Sequence, residues 1–273
     1  MYDLKTTLFV TDLDGTLLHS DTSLSDFTAD ALNRLIDRGA KLSFATARSL
    51  YTAGGLVAKI APSVPIILHN GVFIQKRSGE YLTKALFSAD ELERIVRTLD
   101  EYKIAPIVYS LIGGREHFSY VYDMLTGEAR NFIVQHRGDP RDRPLSDPTG
   151  LYDGEVYYFT CIGRGEALKC AYERLGEGFT RILTRDFYSG DDWLELLPSE
   201  ASKASAVQRL KDLLGCERIV AFGDGDNDIS MFRVADEGCA VANAVPGLKA
   251  IADRIIGSND EDGVAAFLRE YLL

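Results

Sequence analysis

The sequence predicts an α/β fold in which a mostly parallel sheet is interrupted by an α+β insert. Predicted strands and helices alternate over residues 7–71, and the alternation resumes near residue 190. Such alternation indicates a parallel sheet with right-handed crossovers. Three consecutive predicted strands end in polar, loop-forming residues. Between residues 84 and 189 the pattern changes to hairpin-like strands, single helices and a polar tract, which indicates a separate insert.

The first predicted strand, residues 8–10, is apolar and leads into Asp12, Asp14 and Gly15. Glycine adopts positive φ easily and lets the backbone approach a ligand closely. Ligands of open α/β sheets bind beyond the carboxyl ends of the strands. We therefore expect Asp12 and Asp14 to project into a cleft, although an ordinary solvated turn has the same local sequence.

The other elements of the first region follow from spacing and boundary residues. Ser25 and Gly39 are typical of the start and end of a helix. The third strand ends at His69-Asn70-Gly71. The predicted elements are a helix at 25–38, a strand at 41–45, a helix at 51–59, a strand at 65–68 and a hairpin of 72–75 with 80–83.

The insert has its own mixture of strands and helices. Ser88 with Glu91 three residues later forms a capping box at the start of one helix. Three prolines in the polar tract 137–153 favour a long loop. The predicted elements are helices at 88–102 and 166–175 and strands at 106–110, 117–122, 155–162 and 180–184.

The strand–helix alternation then returns, which divides the chain into a first core part at 1–83, an insert at 84–189 and a second core part at 190–273. The second core part is predicted to contain strands at 193–197, 218–222 and 239–241 and helices at 203–214, 229–234, 246–252 and 262–272.

A second acidic cluster follows the strand at 218–222. It contains Asp224, Asp226, Asn227 and Asp228, whose oxygen atoms suit a hard cation such as Mg²⁺. A solvated loop would have a similar composition. Because two strands of one predicted sheet both end in carboxylates, we expect the two clusters to meet around one ion.

Composition excludes several classes of protein. The 273 residues carry a net charge of −11, which argues against a nucleic-acid or anionic-membrane surface. The four cysteines contain no C-x-x-C pair, so they are predicted to be reduced structural thiols. No signal-peptide pattern and no membrane-length apolar run is present, and the cytoplasm is the expected location.

Four motifs occur in order along the predicted core. They are Asp12-Leu13-Asp14-Gly15-Thr16, Phe44-Ala45-Thr46-Ala47-Arg48, Lys203, and Gly223-Asp224 with Asn227-Asp228. With these motifs the chain resembles the haloacid dehalogenase-like (HAD) phosphohydrolases and, within them, the Cof-type sugar-phosphatase group. His69-Asn70-Gly71-Val72 and Ala242-Asn243-Ala244 also resemble that group, which usually has glycine where Ala47, Ala204 and Ala242 stand.

The resemblance implies a Rossmann-like core with an inserted α+β cap, and it implies roles for the matching residues. Asp12 would be the nucleophile and form an aspartyl-phosphate, and Asp14 would be the general acid and base. Thr46 and Lys203 would stabilise the phosphoryl group. Mg²⁺ would be held by Asp12, the backbone carbonyl of Asp14, Asp224 and Asp228. The implied substrate-binding residues are Thr46, Ala47, Arg48, Asn70, Gly71, Lys203 and Asn227. Arg48 could equally form an ion pair beside the site.

The resulting hypothesis is a Mg²⁺-dependent phosphomonoester hydrolase that acts on a small phosphorylated metabolite, such as a sugar phosphate. We expect a monomer or weak dimer without nucleic-acid or membrane partners. A phosphomutase or phosphotransferase on the same core, or a non-catalytic metabolite-binding regulator, is the alternative. The cap residues Tyr109, Arg115, Arg130, Asn131 and Tyr188 are candidates for substrate selection.

Overall fold

The structure is a computed structural model that describes residues 3–61, 64–185 and 190–270. The predicted cap residue Tyr188 lies outside these ranges. The chain forms two compact units. The first unit combines Met1–Lys84 with Ala201–Leu273, and the second is Ala85–Glu200.

Fourteen strands occur within the described ranges. In chain order they are β1 (Thr7–Thr11), β2 (Lys41–Phe44), β3 (Ile66–Leu68), β4 (Phe73–Gln75), β5 (Tyr81–Lys84), β6 (Ile107–Ile112), β7 (Arg115–Val121), β8 (Asp142–Leu145), β9 (Glu155–Gly163), β10 (Thr180–Arg185), β11 (Asp192–Leu197), β12 (Arg218–Gly223), β13 (Glu237–Val241) and β14 (Arg254–Ile256).

Nine α-helices connect or cover the strands in the same ranges. They are α1 (Asp26–Asp37), α2 (Leu50–Leu56), α3 (Ala89–Glu101), α4 (Gly127–Gln135), α5 (Ala167–Leu175), α6 (Lys203–Leu214), α7 (Ile229–Phe232), α8 (Pro246–Lys249) and α9 (Gly263–Arg269).

The first unit contains a five-stranded parallel sheet with the order β14-β13-β12-β1-β2. Its central strands are apolar and fully buried: Leu8 and Val10 of β1 and Val220 and Phe222 of β12 are not exposed at all. Burial of both faces explains the continuous apolar runs in the sequence. The prediction of a parallel α/β sheet is confirmed, and the loops that follow its strands lie at one edge.

The predicted hairpin forms an antiparallel sheet of its own in the first unit. Strand β4 pairs with β3 on one side and with β5 on the other. The third predicted strand of the core, β3, therefore has its main hydrogen-bonded ladder in this small sheet. A single parallel bridge between Ala45 and Ile67 links it to the segment after β2.

The second unit contains a six-stranded sheet with the order β10-β11-β9-β6-β7-β8. All its pairs are antiparallel except β7 with β8. One hydrophobic cluster includes Ile95 of α3 and Leu168 of α5, and another includes Ile133 of α4. This unit therefore has hydrophobic cores of its own, as expected for a compact unit.

Besides the pairing of β3, four details differ from the sequence expectations, and the first is the edge strand β14, which was not predicted. The strand β11 pairs with β9 and β10, so this segment belongs to the sheet of the second unit and not to the parallel sheet. The polar tract contains β8, which includes Pro144 and lies at the edge of its sheet, where proline is tolerated. Helix α4 was missed because its weakly amphipathic sequence begins with glycine.

Candidate active site

Asp12 is the first residue after β1 and is 5 % exposed. Its backbone N–H donates to the Phe222 carbonyl at 3.0 Å, which joins the turn to the neighbouring strand β12. Gly15, with a φ of +75°, follows in the same turn, and a Cβ atom there would lie 2.5 Å from Asp224 Oδ2. The turn can therefore pack against the second acidic cluster only because residue 15 is glycine.

Lys203 connects the two acidic clusters. Its ammonium donates to Asp12 Oδ1 at 2.6 Å and to Asp228 Oδ1 at 2.7 Å. Lys203 is 1 % exposed, and it is the first residue of α6, where the Ser202 hydroxyl accepts from the backbone N–H of Ser205. The helix start thus holds a buried cation between two carboxylates 191 and 25 residues away in sequence.

The loop after β12 folds around Asp228, which is not exposed. Asp228 Oδ2 accepts from the backbone N–H groups of Asp224 and Gly225, at 3.0 and 3.1 Å. Asp224 Oδ1 accepts from the Thr16 hydroxyl at 2.8 Å. The two strand-end loops are therefore tied together by side chains, as the sequence predicted from their carboxylates.

The carboxylates of Asp12, Asp224 and Asp228 each offer one oxygen atom within 4.8 Å of the others. Burial raises the pKa of Asp12 to about 8, and Asp228 adds to this shift although Lys203 opposes it. Burial likewise raises the pKa of Asp224 to about 6. Lys203 therefore binds two of three crowded carboxylates, and this excess of negative charge suits a bound cation.

The side chain of Asp14 does not belong to that carboxylate group and binds Arg48. Arg48 Nε donates to Asp14 Oδ2 at 2.7 Å, and Arg48 Nη2 donates to Oδ1 at 2.6 Å. This bidentate ion pair is partly exposed. The sequence placed both residues in the site and left Arg48 open between a substrate contact and an ion pair, without naming Asp14 as its partner.

Thr46 and Asn70 lie on adjoining loops. Thr46 is buried, its backbone N–H donates to the Ile67 carbonyl, and its hydroxyl accepts from the Arg48 N–H at 3.1 Å. Asn70 has a φ of +54°, and its side-chain oxygen accepts from Asn227 at 3.3 Å. These contacts bring four predicted site residues into one connected group.

Two further predicted substrate-binding positions have small side chains. Gly71 has a φ of +102°, and a Cβ atom there would lie 2.1 Å from the carbonyl oxygen of Ser202. Gly71 therefore lets the loop after β3 contact the start of α6, next to Lys203. Ala47 is exposed between Thr46 and Arg48.

Sequence reasoning gave no role to Thr16, although it belongs to the first motif. It also did not predict the contacts of Asn243, whose side-chain NH₂ donates to the Gly15 carbonyl at 2.7 Å. The candidate cap residues Tyr109, Arg115, Arg130 and Asn131 lie in the second unit.

Comparison with known proteins identifies the family. The family model for haloacid dehalogenase-like hydrolases matches residues 9–268, and the chain belongs to this family. It is 28 % identical to the 5-amino-6-(5-phospho-D-ribitylamino)uracil phosphatase YitU of Bacillus subtilis, covering 98 % of each chain. It is also 28 % identical to the HMP-PP phosphatase of Klebsiella pneumoniae, covering 96 % of this chain and 94 % of the relative.

Solved structures agree with this assignment at the level of the fold. BT1666 from Bacteroides thetaiotaomicron, described among phosphatases of the HAD superfamily, has a TM-score of 0.79 at 24 % identity, with 97 % of this chain and 94 % of that chain covered. The prediction of a HAD-type phosphatase is confirmed. None of the helices in the described ranges has both the length and the hydrophobicity needed to cross a lipid bilayer.

Proposed function

We propose that this enzyme hydrolyses the phosphate monoester of a small metabolite, with Mg²⁺ as cofactor and phosphorylated Asp12 as intermediate. The observation that carries the proposal is the buried group of Asp12, Asp228 and Lys203 beside Asp224. A carboxylate attacks an anionic phosphate only where nearby positive charge offsets the repulsion. Lys203 supplies part of that charge.

The residues fit a magnesium ion. Asp12, Asp224 and Asp228 would hold it with side-chain oxygens, and the backbone carbonyl of Asp14 would complete the protein ligands. The raised pKa values of Asp12 and Asp224 indicate negative charge that this protein alone does not neutralise. When bound, the ion would neutralise charge on the phosphoryl oxygens and orient them.

In the first chemical step, a carboxylate oxygen of Asp12 forms a bond to phosphorus, and the bond from phosphorus to the ester oxygen breaks. Asp14 gives a proton to the departing alcohol. In the second step, Asp14 takes a proton from water, whose oxygen attacks phosphorus and breaks the bond to Asp12. Inorganic phosphate leaves, and both aspartates return to their starting states.

The Arg48–Asp14 ion pair must open before the first chemical step can occur. Both carboxylate oxygens of Asp14 accept hydrogen bonds from the Arg48 guanidinium, whereas the first step needs one of them to face the ester oxygen. We propose that Asp14 exchanges Arg48 for the ester oxygen when substrate binds. Arg48 is then available to a negatively charged group of the substrate.

Four other side chains or backbone groups would contact the phosphoryl group. Thr46 would donate its hydroxyl to a phosphoryl oxygen, and Asn227 would donate through its amide, held by Asn70. Ala47 and Gly71 have side chains small enough for backbone N–H groups to approach the ligand.

Two other functions are kept as outcomes of the same experiment. A phosphotransferase would use the same phosphorylated Asp12 and pass phosphate to a second alcohol in place of water. A metabolite-binding regulator would keep the fold without turnover, but binding alone has no use for an acid and base at Asp14. A cytoplasmic location and a monomeric or weakly dimeric state stay predictions.

The test is phosphate release from a panel of phosphorylated sugars, nucleotides and cofactors, including the compounds in the names of the two relatives. Each is measured with Mg²⁺ and with EDTA, beside the Asp12→Asn variant. Metal-dependent release that the variant lacks supports the hydrolase. Transfer of phosphate to an added alcohol without equivalent phosphate release favours the phosphotransferase. Binding of a panel member without either reaction favours the regulator.

A further inference from the structure

Two asparagines from neighbouring loops hold the turn that carries Asp12 and Asp14. Asn243, after β13, donates to the carbonyl of Gly15 at 2.7 Å. Asn259, after β14, donates to the carbonyl of Leu18 at 3.0 Å. The side-chain oxygen of Asn243 also accepts from the backbone N–H of Asn259 at 3.0 Å. The asparagine pair (Asn243 and Asn259) therefore joins three strand-end loops of the first unit.

The orientation of the Asn243 amide follows from its two partners. Its NH₂ faces a carbonyl, and its oxygen faces an N–H. The reversed orientation would place donor against donor and acceptor against acceptor, and both hydrogen bonds would be lost. Asn243 is exposed whereas Asn259 is 4 % exposed, so the contact to Gly15 survives in competition with water because Asn259 fixes the side chain.

The Gly15 carbonyl is the point at which this contact affects the chemistry. Gly15 follows Asp14 directly, and glycine has no Cβ to restrict rotation of its peptide plane. One side of Gly15 packs against Asp224, and the Thr16 hydroxyl donates to that same carboxylate. A hydrogen bond to the Gly15 carbonyl supplies the restraint that a side chain would otherwise provide.

We infer that Asn243 is a positioning residue for the acid and base Asp14, and that it acts through the Gly15 carbonyl. This inference rests on the proposed function, because it assigns Asn243 to the proton-transfer step of that reaction. An acid must reach the departing oxygen at hydrogen-bond distance to donate its proton. A small rotation of the Gly15 peptide would move Asp14 away from that position without changing Asp12 or Lys203.

The variants Asn243→Asp and Asn243→Ala distinguish the loss of the hydrogen-bond donor from the effect of an added negative charge. Asn243→Asp keeps an oxygen for the Asn259 N–H and loses the donor to Gly15, and Asn243→Ala loses both contacts without adding charge. The matched control is Asn33→Asp on α1. Asn33 also donates to a backbone carbonyl, that of Lys59 at 2.9 Å, and accepts from a backbone N–H, that of Ala61 at 2.7 Å.

The substrates are an alkyl phosphate that the wild type hydrolyses and p-nitrophenyl phosphate. Nitrophenolate leaves without a proton, whereas an alkoxide needs one. The measured quantity is kcat/KM, which covers the steps up to release of the alcohol and leaves out the second step, in which Asp14 acts as base for both substrates. General acid catalysis contributes ~10²-fold to ~10⁴-fold, so partial misplacement of Asp14 should lower kcat/KM for the alkyl phosphate by roughly 10-fold in both Asn243 variants. We expect p-nitrophenyl phosphate and Asn33→Asp to show less than about 3-fold change in kcat/KM.

Equal losses of kcat/KM on both substrates would overturn the inference, because they would indicate a general distortion of the site. Asn243 variants that behave like Asn33→Asp would overturn it as well. In either case the proposed function stands, since the wild type still releases phosphate. If the wild type hydrolyses neither substrate nor any member of the panel, the proposed function and this inference fail together.

Discussion

Each unit of the protein contains an ion cluster, buried in the first unit and partly buried in the second, and the two clusters differ in how well their charges are satisfied. In the second unit, Arg141 donates to Asp139 through Nε at 2.9 Å and through Nη2 at 2.6 Å, and it lies 3.7 Å from Glu116. The Tyr157 hydroxyl donates to Glu116 at 3.2 Å. In the first unit, the Lys203 ammonium is shared by Asp12 and Asp228, with a third carboxylate nearby.

The carboxylate pKa values move in opposite directions in these clusters. Burial acts to raise the pKa of Asp139, but hydrogen bonds from Arg141 outweigh it and the pKa is lowered. Burial raises the pKa of Asp12 to about 8 in spite of Lys203. A cluster that favours its own charged form stabilises the fold, whereas one that disfavours it is incomplete without a ligand. The comparison therefore favours a structural role for the Arg141 cluster of the second unit and supports the proposed functional role of the Lys203 cluster of the first unit.

The largest expected effect comes from replacing one carboxylate in each cluster by an amide. Asp12→Asn should lower phosphate release by ~10³-fold or more, because an amide oxygen is too weak a nucleophile to form the phosphorylated intermediate. Its fold should persist, since the Asn oxygen still accepts from Lys203. Steady-state phosphate release and the unfolding temperature measure the two effects.

Asp139→Asn is the matched substitution in the second unit. It should lower the free energy of unfolding by about 1–3 kcal/mol, because the partly buried Arg141 loses its ionised partner. Phosphate release per folded molecule should stay within about 2-fold of the wild type. If Asp12→Asn still released phosphate at the wild-type rate, Asp12 would not be the nucleophile, and the proposed functional role of the Lys203 cluster would be wrong.

The second-largest expected effect is stabilisation by Mg²⁺, which should bind the cluster of the first unit and not that of the second. At 10 to 100 times its Kd, Mg²⁺ should stabilise the wild type by about 1–3 kcal/mol, because it binds the folded state. Asp224→Asn should lose this stabilisation, and Glu116→Gln, the matched change in the second unit, should keep it. Unfolding is followed by calorimetry with Mg²⁺ and with EDTA. If Mg²⁺ stabilised Asp224→Asn as much as the wild type, Asp224 would not be a ligand.

Glycines provide a third comparison of the two units. Gly71→Ala should destabilise the protein by about 2–4 kcal/mol and lower kcat, since its Cβ would lie 2.1 Å from the Ser202 carbonyl and displace the start of α6. Gly114, between β6 and β7, also has a left-handed φ of +78°, but a Cβ there meets no atom within 4 Å. Gly114→Ala should cost about 1 kcal/mol and leave kcat unchanged. Urea unfolding and initial rates test both, and similar losses in the two variants would attribute the effect to φ alone.

Local patterns in the sequence were sufficient to predict the parallel sheet. Buried strands such as β1 and β12 have continuous apolar runs, and the polar residues at their ends mark the loops that form the site. The partners of a strand are not encoded locally. The segment β11 follows the same apolar pattern as a core strand, yet it pairs with β9 and β10 in the second unit.

In the candidate site, too, the sequence predicted the residues but not their partners. The sequence predicted which residues supply oxygens and the buried cation, because their motifs are short and ordered. It left Arg48 open between a substrate contact and an ion pair, and it did not predict Asp14 as the partner of Arg48 or Gly15 as the partner of Asn243, which lie 34 and 228 positions away. Such contacts depend on the relative positions of the loops at one sheet edge. These positions follow from the packing of the whole unit.

The smallest expected effect concerns acid stability and tests the structural side of the comparison. The folded-state pKa of Asp139 lies below its ordinary value, so its ion pair with Arg141 stabilises the fold at pH values above the ordinary pKa of aspartate, ~3.9. This contribution is lost as the pH falls below that value and through the folded-state pKa. The difference in unfolding free energy between the wild type and Asp139→Asn should therefore be constant from about pH 5 to 7 and shrink below about pH 4. Urea unfolding of both proteins in EDTA, at matched pH values, measures that difference while the other carboxylates titrate equally in both. A difference that stays the same at pH 3 would mean that Asp139 acts through packing and not through its charge, and the contrast between the two clusters would then rest on the first unit alone.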